Sequence, residues 1–411
     1  MALIPGATIT IGVGVRHYSW KNSVRQTTVY DTAGIAPCTT YKNSQIRIEE
    51  PVGNRKCRRK GYRNMAKRGL AKSNMQYPDK FDLKERPDRI GEYLKPHLKK
   101  FIFDELSMAF MEKNDIMFMK GVPIPLREED IQEFKGGSGI KVQHLVSNMA
   151  WIMGIDPKFK HTPDYISFIK AHFNKKIVEG FLKAGRDQAE NEIYDEAIIY
   201  FRAALCVDPI NMDSMYSYAR ACREVYLNSD DPEVIGNFKA EALEYFEMLV
   251  EAHPKFAQAY YYLGYAYLNL GLYVKAQLTW KDFLAKSMNR KDRKEIKQRL
   301  EQIEDPVEIE KGCNEVMATR WANGLAILEP YMNTRFKDWW PMSYYLGVAY
   351  SNLGRKNDAI RSFKKVLSLA PSHVESMDEL ADIYGERQDK QNEEKYRKKA
   401  ELIRSGGHKE N

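Results

Sequence analysis

Histidine and cysteine are the side chains best suited to chemistry near neutral pH, and this 411-residue chain holds eight of the first and five of the second. Their spacing gives them little to do. Cys38, Cys57, Cys206, Cys222 and Cys313 are odd in number, scattered, and form no C-x-x-C pair, so neither a disulfide framework nor a zinc site is indicated. A reducing compartment suits them. The histidines show no H-E-x-x-H or other ligand spacing, and His144 and His172 fall in helical stretches where packing accounts for them. The fragment DTAG (Asp31–Gly34) looks like part of a nucleotide switch, yet no G-x-x-x-x-G-K-S/T loop is present to hold phosphates. KGGSG (Lys135–Gly139) follows no strand and reads as a loop. Carboxylates are abundant, but on helices they read as solvated faces with i,i+4 pairing. We expect no catalytic residue, no metal ligand and no cofactor.

What remains is the chemistry of recognition, and the charge distribution narrows it. Lys and Arg number 64 against 56 Asp and Glu, a formal net charge of +8. That excess suggests an anionic partner until it is divided along the chain. Residues 1–74 hold 14 basic side chains and 3 acids, densest at RKCRRKGYRNMAKRGLAK (55–72), while the other 337 residues hold 50 against 53. The bulk is near neutral, which disfavours nucleic acid as its partner. Segment 1–74 lacks sustained periodicity and is expected to be a disordered basic extension; Met65 and Met75, just before a change in composition, are alternative starts. No uncharged apolar run approaches the ~18 residues of a membrane span. The opening MALIPGATITIGVGV lacks the basic region of a signal peptide. A cytoplasmic protein without a membrane partner is the expectation.

The elements that must carry any binding residues fall into two blocks. Residues 75–175 read as a compact all-α module. RIGEYLKPHLKKFIFDELSMAFMEKND (89–115) has apolar residues at helical spacing with a break at Pro96, KGVPIPL follows as a connection, and REEDIQEF, VQHLVSNMAWIMG and PDYISFIKAHF read as three further helices. Ala150 lies four residues before Gly154, the spacing of a helix-turn-helix, but Pro157 and Pro163 flank or interrupt the second helix. Lys160 also stands where that motif wants an aliphatic residue, so an ordinary helical hairpin is the better reading.

From residue 176 to 404 the chain repeats. Small residues Ala197, Ala242, Ala276, Gly324 and Ala359 are each followed four positions later by a large apolar one, namely Phe201, Phe246, Trp280, Leu328 and Phe363. The spacings between these anchors are 45, 34, 48 and 35. Twelve positions before four of them stand Gly185, Gly264, Gly312 and Gly347, with Ala219 in the same role across an insert. Two antiparallel helices approach closely only where small residues let the backbones near each other, and Pro209, Pro254 and Pro371 stop the second helix of three units. One hairpin cannot bury its apolar face alone, so such units stack. The excess in the 48-residue interval reads as an added polar helix within MNRKDRKEIKQRLEQIE (288–304).

The pattern resembles the tetratricopeptide repeat family. Residues 257–290 carry it nearly in full at Tyr260, Leu263, Gly264, Tyr267, Gly271, Tyr273 and Ala276, and 340–373 repeat it at Leu346, Gly347, Tyr350, Gly354, Ala359, Phe363 and Pro371. Segment 178–211 matches over its second helix, and 212–256 and 305–339 are degenerate. A sixth unit from Val374 has Glu393 in place of the small residue and suits a solvent-facing cap. The resemblance implies an α-solenoid of helical hairpins over 176–404, ahead of a short tail, 405–411. It also implies a concave groove lined by the first helix of each unit, where a protein or peptide would bind. Carried over by repeat position, the groove residues are Arg186; Tyr216, Arg220 and Arg223; Tyr261, Tyr265 and Asn269; and Tyr344, Val348 and Asn352, with Glu375, Asp378 and Asp382 at the far end. The Lys/Asn pattern by which chaperone-binding members clamp a C-terminal carboxylate is missing. The expected function is a non-catalytic scaffold or adaptor. The alternative is a transcriptional regulator whose 75–175 module binds DNA while the repeats sense a peptide.

Overall fold

The computed structural model describes residues 81–135, 141–173 and 176–405. The basic extension 1–74 with its alternative starts, most of KGGSG and residues 406–411 lie outside them. The first block opens with a short helix α1 (Gly91–Leu94) and a 3-10 turn, Lys95–Lys100, in which Pro96 sits near the start, where a missing N–H does no harm. Strand β1 (Ile102–Asp104), helix α2 (Met108–Lys113) and strand β2 (Ile124–Leu126) follow. The strands pair antiparallel with Ile102 opposite Leu126. Here the local reading of 89–115 as helix and of KGVPIPL as a connection gives way. Pro96 ends the first helix, and Ile102–Asp104 find a partner some twenty residues downstream, which no local window contains. The remainder is helical as expected: α3 (Glu128–Lys135), α4 (Val142–Ile155) and α5 (Thr162–His172).

The repeats run as hairpins. Unit one is α6 (Lys176–Glu190) with α7 (Tyr194–Val207), and unit two is α8 (Met212–Leu227) with α9 (Pro232–Ala252). Unit three is α10 (Ala257–Asn269) with α11 (Tyr273–Lys286); a separate helix α12 (Arg290–Gln302) comes next. Unit four is α13 (Glu304–Met317) with α14 (Trp321–Leu328), unit five α15 (Trp340–Asn352) with α16 (Lys356–Leu369), and unit six α17 (Val374–Glu386) with α18 (Lys390–Arg404). The fold is an all-α solenoid with a two-stranded ribbon in its leading block.

The repeat glycines serve close approach. A Cβ on Gly185, Gly264, Gly312 or Gly347 would run into the side chain of Phe201, Trp280, Leu328 or Phe363 respectively, at 2.5 Å for Phe201 and 2.7 Å for Leu328 and Phe363. The residue sixteen positions on, from the second helix, therefore fills the space the missing side chain leaves. A Cβ on Gly324 would lie 3.1 Å from the carbonyl oxygen of Gly312, so that pair of small residues does bring two backbones together. Five of the six hairpin turns then close on a residue in the left-handed region: Gly271 and Gly354, but also Glu192, Thr319 and Gln388.

The leading block shares its core with units one and two. In α4 every residue from Leu145 to Ile155 except Ser147 is buried, and the helix packs on α7; a Cβ on Gly154 would meet the carbonyl of Ile199. Segment 81–94 is tied down by ions. Asp88 accepts from the fully buried Arg202 at 2.6 Å, and Arg86 pairs with Glu244 at 2.7 Å. Arg89 reaches Glu241 at 3.3 Å, and the Tyr218 hydroxyl donates to the same Glu241 carboxyl at 2.8 Å. Burial raises the Glu241 carboxyl above its ordinary value, against the pull of Tyr218 and the three arginines.

Helix α12 is a half-unit in register. Adding 34 to Gln258, Tyr261, Tyr262 and Tyr265 gives Asp292, Glu295, Ile296 and Arg299. The structure pairs across this interval, with Gln258 donating to Asp292 at 3.0 Å and Arg299 to the Tyr265 hydroxyl at 3.3 Å. α12 thus stands beside α10 as the first helix of a further unit would, without a second helix of its own. Its sequence fits that state. Tyr260, Leu263 and Gly264, buried in α10, become Lys294, Lys297 and Gln298, all exposed.

Candidate protein-binding groove

The residues assigned to a groove sit on the first helices, and those of unit two converge on one ring. Arg220 lies 5.2 Å and Arg223 5.8 Å from the centre of the Tyr262 ring, which stacks on Phe246 at 5.6 Å. Tyr216 meets Tyr262 at 5.9 Å and Phe256 edge-on at 5.2 Å. Two guanidiniums over one tyrosine are held by the ring quadrupole. Arg223 also donates to Glu224 at 2.8 Å. Burial pushes the Tyr216 hydroxyl well up from its ordinary value, so it stays a neutral donor. Tyr262, which the sequence reading passed over, is the hub of this cluster. Its signal was available in the run Tyr260–Tyr262, but the position belongs to the seam between units rather than to the groove.

In unit three, Tyr261 stands edge-on to Tyr265 at 5.2 Å and to Phe283 at 5.5 Å. The Tyr265 hydroxyl donates to Glu295 of α12 at 2.6 Å; burial first, then that carboxylate, pushes it up to about 12. These two tyrosines therefore face a helix of the same chain. Asn269 accepts from Lys239 through its carbonyl at 3.1 Å. In unit five, Tyr344 packs against Phe363 at 5.9 Å and His373 at 5.0 Å, Val348 is half-buried, and the exposed Asn352 amide donates back to the Val348 carbonyl at 2.9 Å. Burial raises the Tyr344 hydroxyl to about 12, helped by Glu379 and Glu375. At the far end Asp382 accepts from Arg397 at 3.1 Å and Asp378 from Arg404, so α18 answers these two acids. Arg186 is half-buried on α6. The structure gathers Tyr216, Arg220 and Arg223 into one cluster and Tyr261 and Tyr265 into a second, and it keeps the unit-five residues apart from both.

Little else offers chemistry. A pocket of about 460 Å³ lies at the α9–α10 turn, lined by Met212, Ala252, His253, Pro254, Lys255 and Phe256, and His253 is engaged with the Ile210 carbonyl at 2.7 Å. Among the described residues no group of three His, Cys, Asp or Glu side chains is placed to hold a metal ion, and no helix is long and apolar enough to cross a membrane. Cys206, Cys222 and Cys313 are buried thiols that burial pushes upward, away from the reactive thiolate.

Comparison with known proteins places this geometry. Two family models, each described as a tetratricopeptide repeat, match residues 245–278 and 343–373. No curated protein matches the chain. Among solved structures, the TPR domain of P58(IPK) is 18% identical with a TM-score of 0.33, over 56% of this chain and 61% of that one. The chain thus spans less than two thirds of that relative. A MamA fragment from Desulfovibrio magneticus RS-1 is 17% identical, TM-score 0.28, over 46% of this chain and 97% of its own. YrrB, described as a TPR protein with an unusual peptide-binding site, is 16% identical, TM-score 0.25, over 49% and 91%. Likeness at this level carries no argument about ligands. The family matches fall on hairpins whose glycines meet a ring from the second helix, and the chain carries tetratricopeptide repeats.

Proposed function

We propose that the chain is a non-catalytic scaffold that binds a protein or peptide segment along the first helices of its repeats. The cluster of Tyr216, Arg220 and Arg223 around Tyr262 carries this reading. Guanidiniums held over a ring are positioned in advance, so little side-chain freedom is lost when they meet a carboxylate or a peptide carbonyl. Large rigid aromatics beside them supply contact area, and such Tyr and Arg pairs dominate binding energy at protein interfaces. The DNA-binding alternative has less support, because the would-be recognition helix α5 buries Tyr165, Phe168 and Ile169 and exposes Pro163, Ser167, Lys170 and Ala171, a face with a single cation. Photo-crosslinking tests the assignment. A crosslinker at Arg186 or Val348 should capture a bound partner, and one at Leu278, exposed on second helix α11, should not. Equal capture at all three positions would remove the groove from the account.

A further inference from the structure

Helix α12 covers part of the face on which the groove reading rests, and the manner of its attachment is informative. Its two contacts through carboxylates are Asp292 to the Gln258 amide at 3.0 Å and Glu295 to the Tyr265 hydroxyl at 2.6 Å. Asp292 and Glu295 lie three residues apart, hence on one helical face. Ile296 is the one buried residue of α12, between those carboxylates and Arg299. The side a second helix would cover, at Lys294, Lys297 and Gln298, is solvated, while α12 also meets α11 and α13 and its first turn is tied to α11 where Arg293 donates to the Ser287 carbonyl at 2.9 Å. By comparison α11 buries Tyr273, Ala276, Thr279, Trp280 and Phe283.

We propose that α12 is an exchangeable occupant of unit three, and that Gln258, Tyr261 and Tyr265 beneath it accept a partner helix bearing acidic side chains three residues apart. This rests on the groove reading above and names the partner chemistry for one part of it. Recognition of a helix laid along a helical face is a recurring mode of peptide binding. The donors show what they select. Gln258 and Tyr265 offer N–H and O–H groups to carboxylates, with Arg299 of α12 itself also donating to the tyrosine oxygen. Replacing one acidic helix by another leaves both donors satisfied, so the exchange does not strand a half-buried polar group. An element with few buried apolar contacts belongs to the low end of local stability, which is where such exchange occurs.

Two measurements on the full chain test it. In hydrogen exchange of the wild type, amides of 293–302 should exchange faster than those of α10, by about tenfold or more. In fluorescence anisotropy the probe is a labelled synthetic peptide of residues 288–304. It should bind saturably to the Glu295→Ala/Ile296→Glu variant, whose own α12 is unseated, and about tenfold more weakly to the wild type, where the place is taken. Adding Tyr265→Phe should weaken binding about threefold through loss of one hydrogen bond. No binding by the double variant, with its far-ultraviolet circular dichroism and cooperative melt retained, would overturn the proposal. So would equal binding by the wild type, or α12 amides as protected as those of α10. Crosslinking at Arg186 and Val348 is unaffected by any of these results, so failure here and failure of the groove reading are separable.

Discussion

Thr319 adopts φ of 61° at an exposed hairpin turn, where Gly271 and Gly354 hold φ of 72° and 78° in units three and five. All three stand seven residues after the close-approach glycine of their unit. For a β-branched side chain the left-handed region is strained by roughly 1–2 kcal/mol. Thr319→Gly should therefore raise stability by about 1 kcal/mol, less than the full strain because glycine also frees the unfolded chain. The urea midpoint of the transition containing unit four would report it; a drop would mean that the turn is held by something other than its backbone. Gly347→Ala has the opposite sign. Its new methyl meets the Phe363 ring at 2.7 Å, and overpacking of this kind destabilises by about 1–3 kcal/mol, readable in the same titration. Both glycine sets could be read from the sequence, since Gly264 and Gly347 recur in register with Trp280 and Phe363. The strained turns at Glu192, Thr319 and Gln388 could not be, because their residue types give no sign of the φ that the hairpin imposes.

Among the elements, α17 begins with an unusual cap. Its N-cap is His373, whose Nδ1 accepts from the Ser376 backbone N–H at 3.1 Å, and Trp340 and Tyr344 lie against the ring at 4.7 and 5.0 Å. The acceptor must be unprotonated. Burial holds the imidazole below its ordinary 6.5, with Glu375 pulling the other way. As pH falls, the unfolded histidine takes up its proton first, so the stability from this cap is present above about 6.5 and drains away as pH drops through that value. Hydrogen exchange at Ser376 and Met377, corrected for intrinsic rate, should show protection falling between pH 7.5 and 5.5, by up to the ~1 kcal/mol of a cap. His373→Asn should keep the cap and flatten the profile; the same slope in that variant would exclude His373 as its source. Helix α12 shows how far the pattern carries at this scale. Its existence follows from the polar run 288–304. Its role as a half-unit needed the pairings of Gln258 with Asp292 and of Tyr265 with Arg299, since the positions that would mark a repeat hold Lys294, Lys297 and Gln298 in place of apolar residues. The β1–β2 ribbon was missed for a different reason: strands pair across sequence, and periodicity is local.

In the whole molecule units three to six divide into two cores. One runs from Tyr260 through Trp280 and Ile296 to Val307, the other from Ile309 through Phe363 to Ala400, and Trp339 packs against both. In repeat proteins stability sums over units and their interfaces, and a thin interface loosens cooperativity. Urea unfolding followed by hydrogen exchange should resolve two protection levels on either side of residue 308, and Trp339→Ala should move them further apart. A single level throughout would show that the halves unfold as one. The leading block belongs with units one and two, because Arg202→Met would leave the Asp88 carboxylate without its ion partner and should destabilise those units by about 3–5 kcal/mol. That tie between residue 88 and residue 202 leaves no trace in composition, and the sequence showed two separate blocks where the structure shows a shared core.

The central claim is that the first helices bind a partner, and titration calorimetry tests it most directly. A protein or peptide captured by the full chain would be titrated against the wild type, against Arg220→Gln/Arg223→Gln and against Val348→Asp, with melting temperatures measured alongside. The account predicts that the arginine pair variant binds at least about tenfold more weakly while melting within a few degrees of the wild type. Equal affinity for the wild type and both variants would contradict it.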